Sequence, residues 1–453
     1  MQNGISILDF LQFDCPTQEQ KAALLAMAAF VNPENNDDFF ILCGAAGTGK
    51  TSITTALVGY MNNREIGYCI AAPTGRAARI LGRKSKVLSS TIHSMIYLVN
   101  CNPETGEIKY TLKQRDNEED APSIFIIDEA SMINAETYKQ EDSLFLSDNS
   151  LLVDLVKFVK QHHANSKIIF LGDRNQLPPI NEQNSYALLP EYLETKFNWK
   201  GNHQILTEVK RQEDGSKIMK NAINTRIAIE NNKTFSKLEC FKFGGRIAGA
   251  TTHYLNEFKK NGPDNSISIA CSHNSNQLFN SIVREKLFGK NCKMIEKGDY
   301  LLVTQSWERN GQRLFNGDHV IVEDFDATHT ELVAGLHFMP IKLKAKNIEG
   351  KDEIIDDYIL LDSITNPSGV LTLEKEKQLR HDRFAKNNVY RESKNAKDDR
   401  YIGAIRLTYG HSITCNKAQG GEWKNVYVNT YYIPNLKWQY TAITRAQNEL
   451  LLY

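Results

Sequence analysis

The run Phe39-Phe-Ile-Leu-Cys43-Gly44-Ala-Ala-Gly-Thr-Gly-Lys50-Thr51 joins a short, wholly apolar segment to a glycine-rich turn. A helix-like stretch, Ser52 to Met61, follows it. A continuous apolar run fits a strand buried on both faces. The turn has the P-loop spacing, Gly44-x-x-x-x-Gly49-Lys50-Thr51, in the strand-before, helix-after context that gives the pattern meaning. Glycines let backbone N–H groups of Gly44, Ala45, Ala46, Gly47, Thr48 and Gly49 turn inward around phosphates, and the helix N-terminus adds positive potential. Lys50 is expected to reach the outer phosphates and Thr51 to offer its hydroxyl to Mg²⁺. The rival reading is a plain glycine-rich turn, which the flanking strand and helix disfavour.

Two similar apolar runs lie further along: Ile124 to Ile127 before Asp128, and Ile168 to Leu171 before Gly172-Asp173. Leu151, Leu152, Leu155, Val156 and Val159 recur at helical spacing between them. Strands alternating with helices predict a parallel sheet with functional residues at the strand C-terminal ends. This first α/β domain is expected to span 1–186. A turn cluster, Asn102 to Gly106, and the β-tolerant Ile108 to Leu112 predict a small hairpin insertion within 95–123. A second α/β pattern starts near 187 and includes Ile267 to Cys271. It is interrupted after 295 by a β-rich region with turns at Asn310-Gly311 and Asn316-Gly317-Asp318, and resumes at Tyr401. Glu374 to Arg400 carries nine basic and six acidic residues, which reads as a charged helix or a mobile segment.

Composition narrows the class. Of 453 residues, 41% are hydrophobic and 24% charged, as in a globular protein with more than one core. No apolar run reaches the roughly 18 residues of a membrane span, and the N-terminus lacks the pattern of a secretion signal. The eight cysteines form no C-x-x-C pair, so reduced thiols in a cytoplasmic protein are expected, with no disulfide frame or metal cluster. Fifty-four basic residues balance 54 acidic ones, yet Arg64 to Ser90 holds six basic side chains against Glu65 alone. By itself such a run reads as a solvated face or a local polyanion patch.

A magnesium-bound nucleotide also needs a carboxylate for the metal and a group that orients water. Asp128 suits the first role and Glu129 the second, both at the end of an apolar strand. Nucleotide kinases share these features. Further motifs point elsewhere, because the chain resembles superfamily 1B helicases of the RecD/Dda type. Thr17-Gln-Glu-Gln20 resembles the family's glutamine motif, implying that Gln20 contacts adenine. Ala72-Pro73-Thr74-Gly-Arg76-Ala-Ala78 and Thr91-Ile-His93 resemble the motifs that hold single-stranded DNA. Gly172 to Pro179 resembles the motif whose glutamine, Gln176, senses the γ-phosphate. Val209-Lys-Arg211-Gln212 implies Arg211 as one arginine finger, and Tyr440 to Arg445 implies Arg445 as the second. Thr414-Cys-Asn416-Lys417-Ala-Gln-Gly-Gly421-Glu422 resembles a motif touching both DNA and nucleotide. Asn416 stands where the family usually has histidine.

The resemblance implies two RecA-like parallel-sheet motor domains, with the hairpin inserted in the first and an SH3-like β domain, with the charged segment, at 296–400 of the second. It implies ATP and Mg²⁺ as cofactors and 5′→3′ movement on single-stranded DNA with duplex unwinding. A strand-stimulated translocase that unwinds poorly alone is the alternative. Expected partners are single strands and single/double-strand junctions, with replication or recombination proteins as candidates; a monomer without membrane contact is expected. Trp423, Tyr97 and Tyr110 are candidate base-stacking faces, with core packing the weightier reading. His162-His163 and His411 read as structural.

Overall fold

The computed structural model describes residues 5–102, 108–114, 123–137, 145–146, 148–208, 217–347 and 349–453. The chain divides into two compact units, one of 1–98, 111–138 and 147–216, the other of 99–110, 139–146 and 217–453.

In the first unit a six-stranded parallel sheet runs in the order Ser90–Thr91, Tyr68–Ala72, Ile124–Ile127, Lys167–Gly172, Phe39–Gly44 and Gly201–Leu206. The three apolar runs are its central strands, and each is buried along its whole length, as a sheet covered on both faces demands. Alternate strand residues point to opposite faces. Phe40, Leu42, Ile70, Ile126, Ile169 and Leu171 therefore meet Leu24, Met27 and Phe30 of the helix Gln18–Val31, and Ile53, Leu57 and Met61 of the helix Lys50–Asn63. Each such side chain, fully buried, contributes about 1.5–3 kcal/mol. Crossing helices start on good caps: Thr17, Thr74 and Ser150 each accept a backbone N–H of the following turn.

The expected boundary at 186 falls short. Gly201–Leu206 pairs along Phe39–Gly44, so the first unit continues to Ser216. This edge strand carries Asn202, His203 and Gln204, and lacks the apolar run that marks the central strands. The hairpin region holds Tyr97–Cys101 and Ile108–Leu112, joined in a small three-stranded sheet by Phe145–Leu146, a strand the sequence did not announce.

The second unit has its own parallel sheet, ordered Phe241–Lys242, Ala446–Leu452, Trp423–Val428, Ser266–Ala270 and Ser412–Thr414. The helices Ile247–Asn261 and His273–Phe288 pack Tyr254, Phe279 and Val283 onto it. The β-rich region forms an antiparallel sheet of Tyr300–Val303, His319–Phe325, Glu331–Val333, Leu336–Lys346 and Asp352–Leu360 around a separate apolar core. Its last strand, Leu407–Tyr409, comes from beyond residue 401, so insertion and motor sequence share that stretch. The charged segment is helical, over Leu373–Lys386 and Asn388–Ser393. Its charges are not all solvated: Glu376 and Arg380 are buried, and Glu376 pairs with buried Arg406 at 2.5 Å.

Candidate nucleotide site and single-strand surface

Phe39–Gly44 delivers its loop at the strand's C-terminal end. Gly47 and Gly49 take φ of 84° and 89°, a left-handed conformation that glycine adopts without strain. Gly49 precedes the helix Lys50–Asn63, whose first-turn N–H groups face the loop. Lys50 Nζ donates to the Gly44 and Ala45 carbonyls at 2.5 and 3.1 Å, and the Thr48 hydroxyl donates to the Ala45 carbonyl at 2.9 Å. A folded-back loop of this kind gathers donors at one point, which suits polyphosphate.

Gln20 is buried against it. Its Oε1 accepts the Thr17 N–H at 2.9 Å and its Nε2 donates to the Thr48 carbonyl at 2.9 Å. A Cβ on Gly49 would lie 2.6 Å from Gln20 Nε2, so the glycine is needed for fit as well as for φ. Beside Gln20, Glu19 accepts the backbone N–H groups of Thr207 and Glu208 at 2.6 and 3.0 Å. These residues lead into Val209–Gln212; the finger candidate Arg211 lies outside the described residues.

Asp128 and Glu129 close the neighbouring strand Ile124–Ile127. Burial raises the Asp128 carboxyl above its usual range, while the Glu129 N–H on its Oδ1 at 2.8 Å and the Lys50 charge pull the other way. Glu129 has φ 50°, a strained backbone for a residue with a Cβ, of the kind found where geometry serves function. Gln176 follows Lys167–Gly172, which lies between these two strands; it is buried, and its Oε1 has no hydrogen-bond partner. P-loop, carboxylates and glutamine thus sit at the C-terminal ends of three adjacent strands.

The single-strand candidates of the first unit lie at the same edge of this sheet. Ala72 and Thr91 are register partners, and Pro73 and Thr74 follow the former. Thr74 caps the helix Gly75–Ser85 that carries Arg76, and Thr91 caps Ile92–Ile96. Burial lowers the pKa of His93, whose ring lies 5.7 Å from that of Tyr97. Tyr97 is buried with its hydroxyl on Asp154 at 2.8 Å, and Trp423 is buried in the second unit, so both serve core packing and not stacking on a strand. Burial pushes the Tyr110 hydroxyl up to about 12.

In the second unit Arg445 is buried. Its guanidinium donates to the Thr441 carbonyl at 3.1 Å, the Gly421 carbonyl at 3.3 Å and the Thr444 hydroxyl at 3.2 Å. Glu422 accepts from Gln447 Nε2 at 3.0 Å. Thr414 and Lys417 line a small cleft with His273, Asn276, Asn280 and Thr408. Lys417 donates to the Ser368 carbonyl at 3.3 Å, and burial lowers its pKa; burial and then Lys417 lower that of His273. His273 and Asn276 escaped the sequence reading because nothing distinguishes them from other polar residues opening a helix. Asn416 sits in the single helical turn Cys415–Ala418.

Residues 17–252 match the family described as an AAA domain, and residues 409–453 match the UvrD-like helicase C-terminal domain. The first match covers more than half of the chain, which belongs to that AAA-domain family; among its relatives are DNA helicases of the RecD/Dda type. One is the ATP-dependent DNA helicase dda of Enterobacteria phage T4, 30% identical over 205 residues, which are 44% of this chain and 40% of that protein. The ATP-dependent RecD2 DNA helicase of Deinococcus radiodurans is 27% identical over 169 residues, 37% of this chain and 20% of that one. The matches therefore span less than half the length of these two relatives. The Pif1 helicase structure from Candida albicans has TM-score 0.53 over 97% of this chain and 94% of its own, at 15% identity. A Bacteroides Pif1 in complex with ADP-AlF3 and ssDNA gives 0.51 over 97% and 92%, at 14%. This likeness shows the fold, with its RecA-like parallel-sheet core.

The donor set at the P-loop is hard oxygen: the Thr51 hydroxyl and the Asp128 carboxylate. That fits Mg²⁺, which takes few protein ligands and completes its shell from phosphate and water. Among the described residues no group of three or more His, Cys, Asp or Glu gathers to hold a metal by side chains alone. No helix among them is long and apolar enough to cross a membrane.

Proposed function

We propose that the protein is an ATP-dependent DNA helicase that moves 5′→3′ on single-stranded DNA and opens duplex at junctions. The observation that carries this reading is the gathering of Lys50, Asp128, Glu129 and Gln176 at one edge of a parallel sheet whose same edge presents Thr74 and Thr91. Hydrolysis chemistry and strand contact then share one rigid element.

Phosphoryl transfer is mostly positioning and charge neutralisation. Lys50 neutralises the outer phosphates, Glu129 orients the attacking water, and the unpaired amide oxygen of Gln176 is available to that water. Thr51 and Asp128 hold Mg²⁺, which when bound offsets phosphate charge. Arg211 and Arg445 supply further cations, and Gly421 and Glu422 border the nucleotide. Gln20 contacts adenine through an amide already tied to the loop. Pro73, Thr74, Arg76, Thr91 and His93 hold the strand on the first motor domain; Thr414, Asn416 and Lys417 hold it on the second. The two compact units are the two motor domains, with the antiparallel sheet as the insertion in the second. A cycle in which each domain's grip depends on the nucleotide state moves the strand one way.

A duplex with one 5′ or one 3′ single-stranded tail tests this, with ATP, Mg²⁺ and Lys50→Ala as control. Opening of the 5′-tailed duplex alone is expected. Opening of the 3′-tailed duplex alone overturns the polarity, and strand-stimulated ATP turnover with no opening identifies a translocase.

A further inference from the structure

The loop after Asp128-Glu129 and the loop carrying Gln176 are fastened together by two side chains, neither of which belongs to a recognised motif. Glu182 is buried, and its Oε1 accepts the backbone N–H groups of both Ala135 and Glu136, at 2.8 and 3.1 Å. Ser185 is also buried, and its hydroxyl donates to the Ser131 carbonyl at 3.1 Å. Between them the Glu129 loop is gripped at both ends, at Ser131 and at Ala135-Glu136.

The strands beneath permit this closeness. Ile124–Ile127 and Lys167–Gly172 are direct neighbours, with Ile127 opposite Phe170. A Cβ on Gly172 would lie 2.7 Å from Leu188 and 3.3 Å from the Ser131 backbone nitrogen, so the second loop approaches because residue 172 has no side chain. Glu182 itself follows a tight turn, its N–H on the Pro179 carbonyl at 3.0 Å, with Asn181 at φ 68°.

Stability does not account for a glutamate here. Its Oε2 is buried with no hydrogen-bond partner, and burial raises its carboxyl pKa against the pull of the two N–H groups. A buried carboxylate oxygen left unsatisfied is unfavourable for folding. What the carboxyl achieves is a rigid link: one oxygen bridges two consecutive amides of the loop that begins at the water-orienting residue.

We propose that Glu182, assisted by Ser185, is a positioning residue that transmits the setting of the Gln176 loop to Glu129. Strand binding thereby accelerates hydrolysis. The proposal rests on the reading of the chain as a strand-stimulated ATPase. Glu182 is buried and bonds through Oε1 to the backbone of the Glu129 loop, so its loss is expected to act on the maximal rate and not on affinity.

ATP turnover of the full chain, measured with and without oligothymidylate, tests the link in Glu182→Ala, Glu182→Gln and Ser185→Ala. In Glu182→Ala the stimulated kcat is expected to fall about tenfold, with KM for ATP and Kd for oligothymidylate within about twofold of the parent. Glu182→Gln keeps an acceptor oxygen for the same two amides and is expected to restore most of the rate. Ser185→Ala, a milder change that keeps the fold even if Glu182→Ala does not, is expected to lower stimulated kcat in the same sense. Unaltered stimulation in the alanine variants overturns the proposal, as does a loss carried wholly by KM or a Glu182→Gln as impaired as Glu182→Ala. A parent protein that hydrolyses ATP without responding to oligothymidylate overturns the underlying reading, and the link with it.

Discussion

Gln20 Nε2 donates to the Thr48 carbonyl at 2.9 Å, tying the start of one helix to the crown of the phosphate loop 28 residues away. The same side chain closes a capping box with Thr17, so the helix Gln18–Val31 and the loop are set by one amide. Gln20→Ala is expected to raise KM for ATP about fivefold, the equivalent of one hydrogen bond at about 1 kcal/mol. Steady-state turnover against ATP concentration checks it. An unchanged KM would show that the loop keeps its shape without the tether.

Lys50 is the charge the loop encloses. Lys50→Ala is expected to reduce ATP turnover by at least about 10²-fold, the effect of removing one preorganised donor from the reacting centre. Single-strand binding, for which Thr74 and Thr91 are the proposed contacts, is expected to persist in fluorescence anisotropy with labelled oligothymidylate. Normal hydrolysis by this variant would contradict the site assignment as a whole.

Much of this was legible beforehand, for a physical reason. Central parallel strands are buried on both faces, so Phe39–Cys43, Ile124–Ile127 and Ile168–Leu171 stand out as unbroken apolar runs, and the candidate site residues follow directly at their ends. Edge elements leave no such trace. Gly201–Leu206 is polar because one side of it faces solvent, so the sequence pattern ends the first sheet before it. Phe145–Leu146 is too short to show a period. The charged segment 374–400 reads as a charged helix or a mobile segment, and it is helical; the pairing of Glu376 with Arg406 is not legible within it because it depends on a residue outside it. The tether of Gln20 to Thr48 and the clamp of Glu182 on Ala135 and Glu136 are contacts to backbone atoms, which no sequence pattern encodes.

Arg445 is held ready by three acceptors of its own unit, all within 3.3 Å. As an arginine finger it is expected to contribute about 10³-fold or more to hydrolysis. Arg445→Ala should leave binding of a fluorescent ADP analogue near normal while kcat collapses. Arg445→Lys keeps the charge but not the planar fork, and is expected to recover only a small part of the rate. Weak nucleotide binding with normal kcat would remove the finger role.

His411 gives the second unit an acid-sensitive core. It is fully buried, its Nδ1 is 3.2 Å from the Tyr254 hydroxyl, and its Nε2 has no partner. Tyr254, Phe258 and Tyr300 surround the ring, and His319 stacks on Tyr300 at 4.7 Å. Burial, and secondarily the Arg284 charge, push its pKa down to about 3. The folded unit therefore keeps His411 neutral, while the unfolded chain takes up a proton near the ordinary value of about 6.5. Stability is full above that value and falls as pH drops through the interval down to about 3, with a slope near 1.4 kcal/mol per pH unit from this group. His411→Asn retains a hydrogen-bonding group for Tyr254 but cannot titrate. It is expected to be less stable than the parent at neutral pH, because a smaller side chain leaves a void, and to lose less on acidification. Urea unfolding at neutral and mildly acidic pH, compared between parent and variant, reads the difference in slope. Parallel pH dependence in the two proteins would assign the acid sensitivity to other groups.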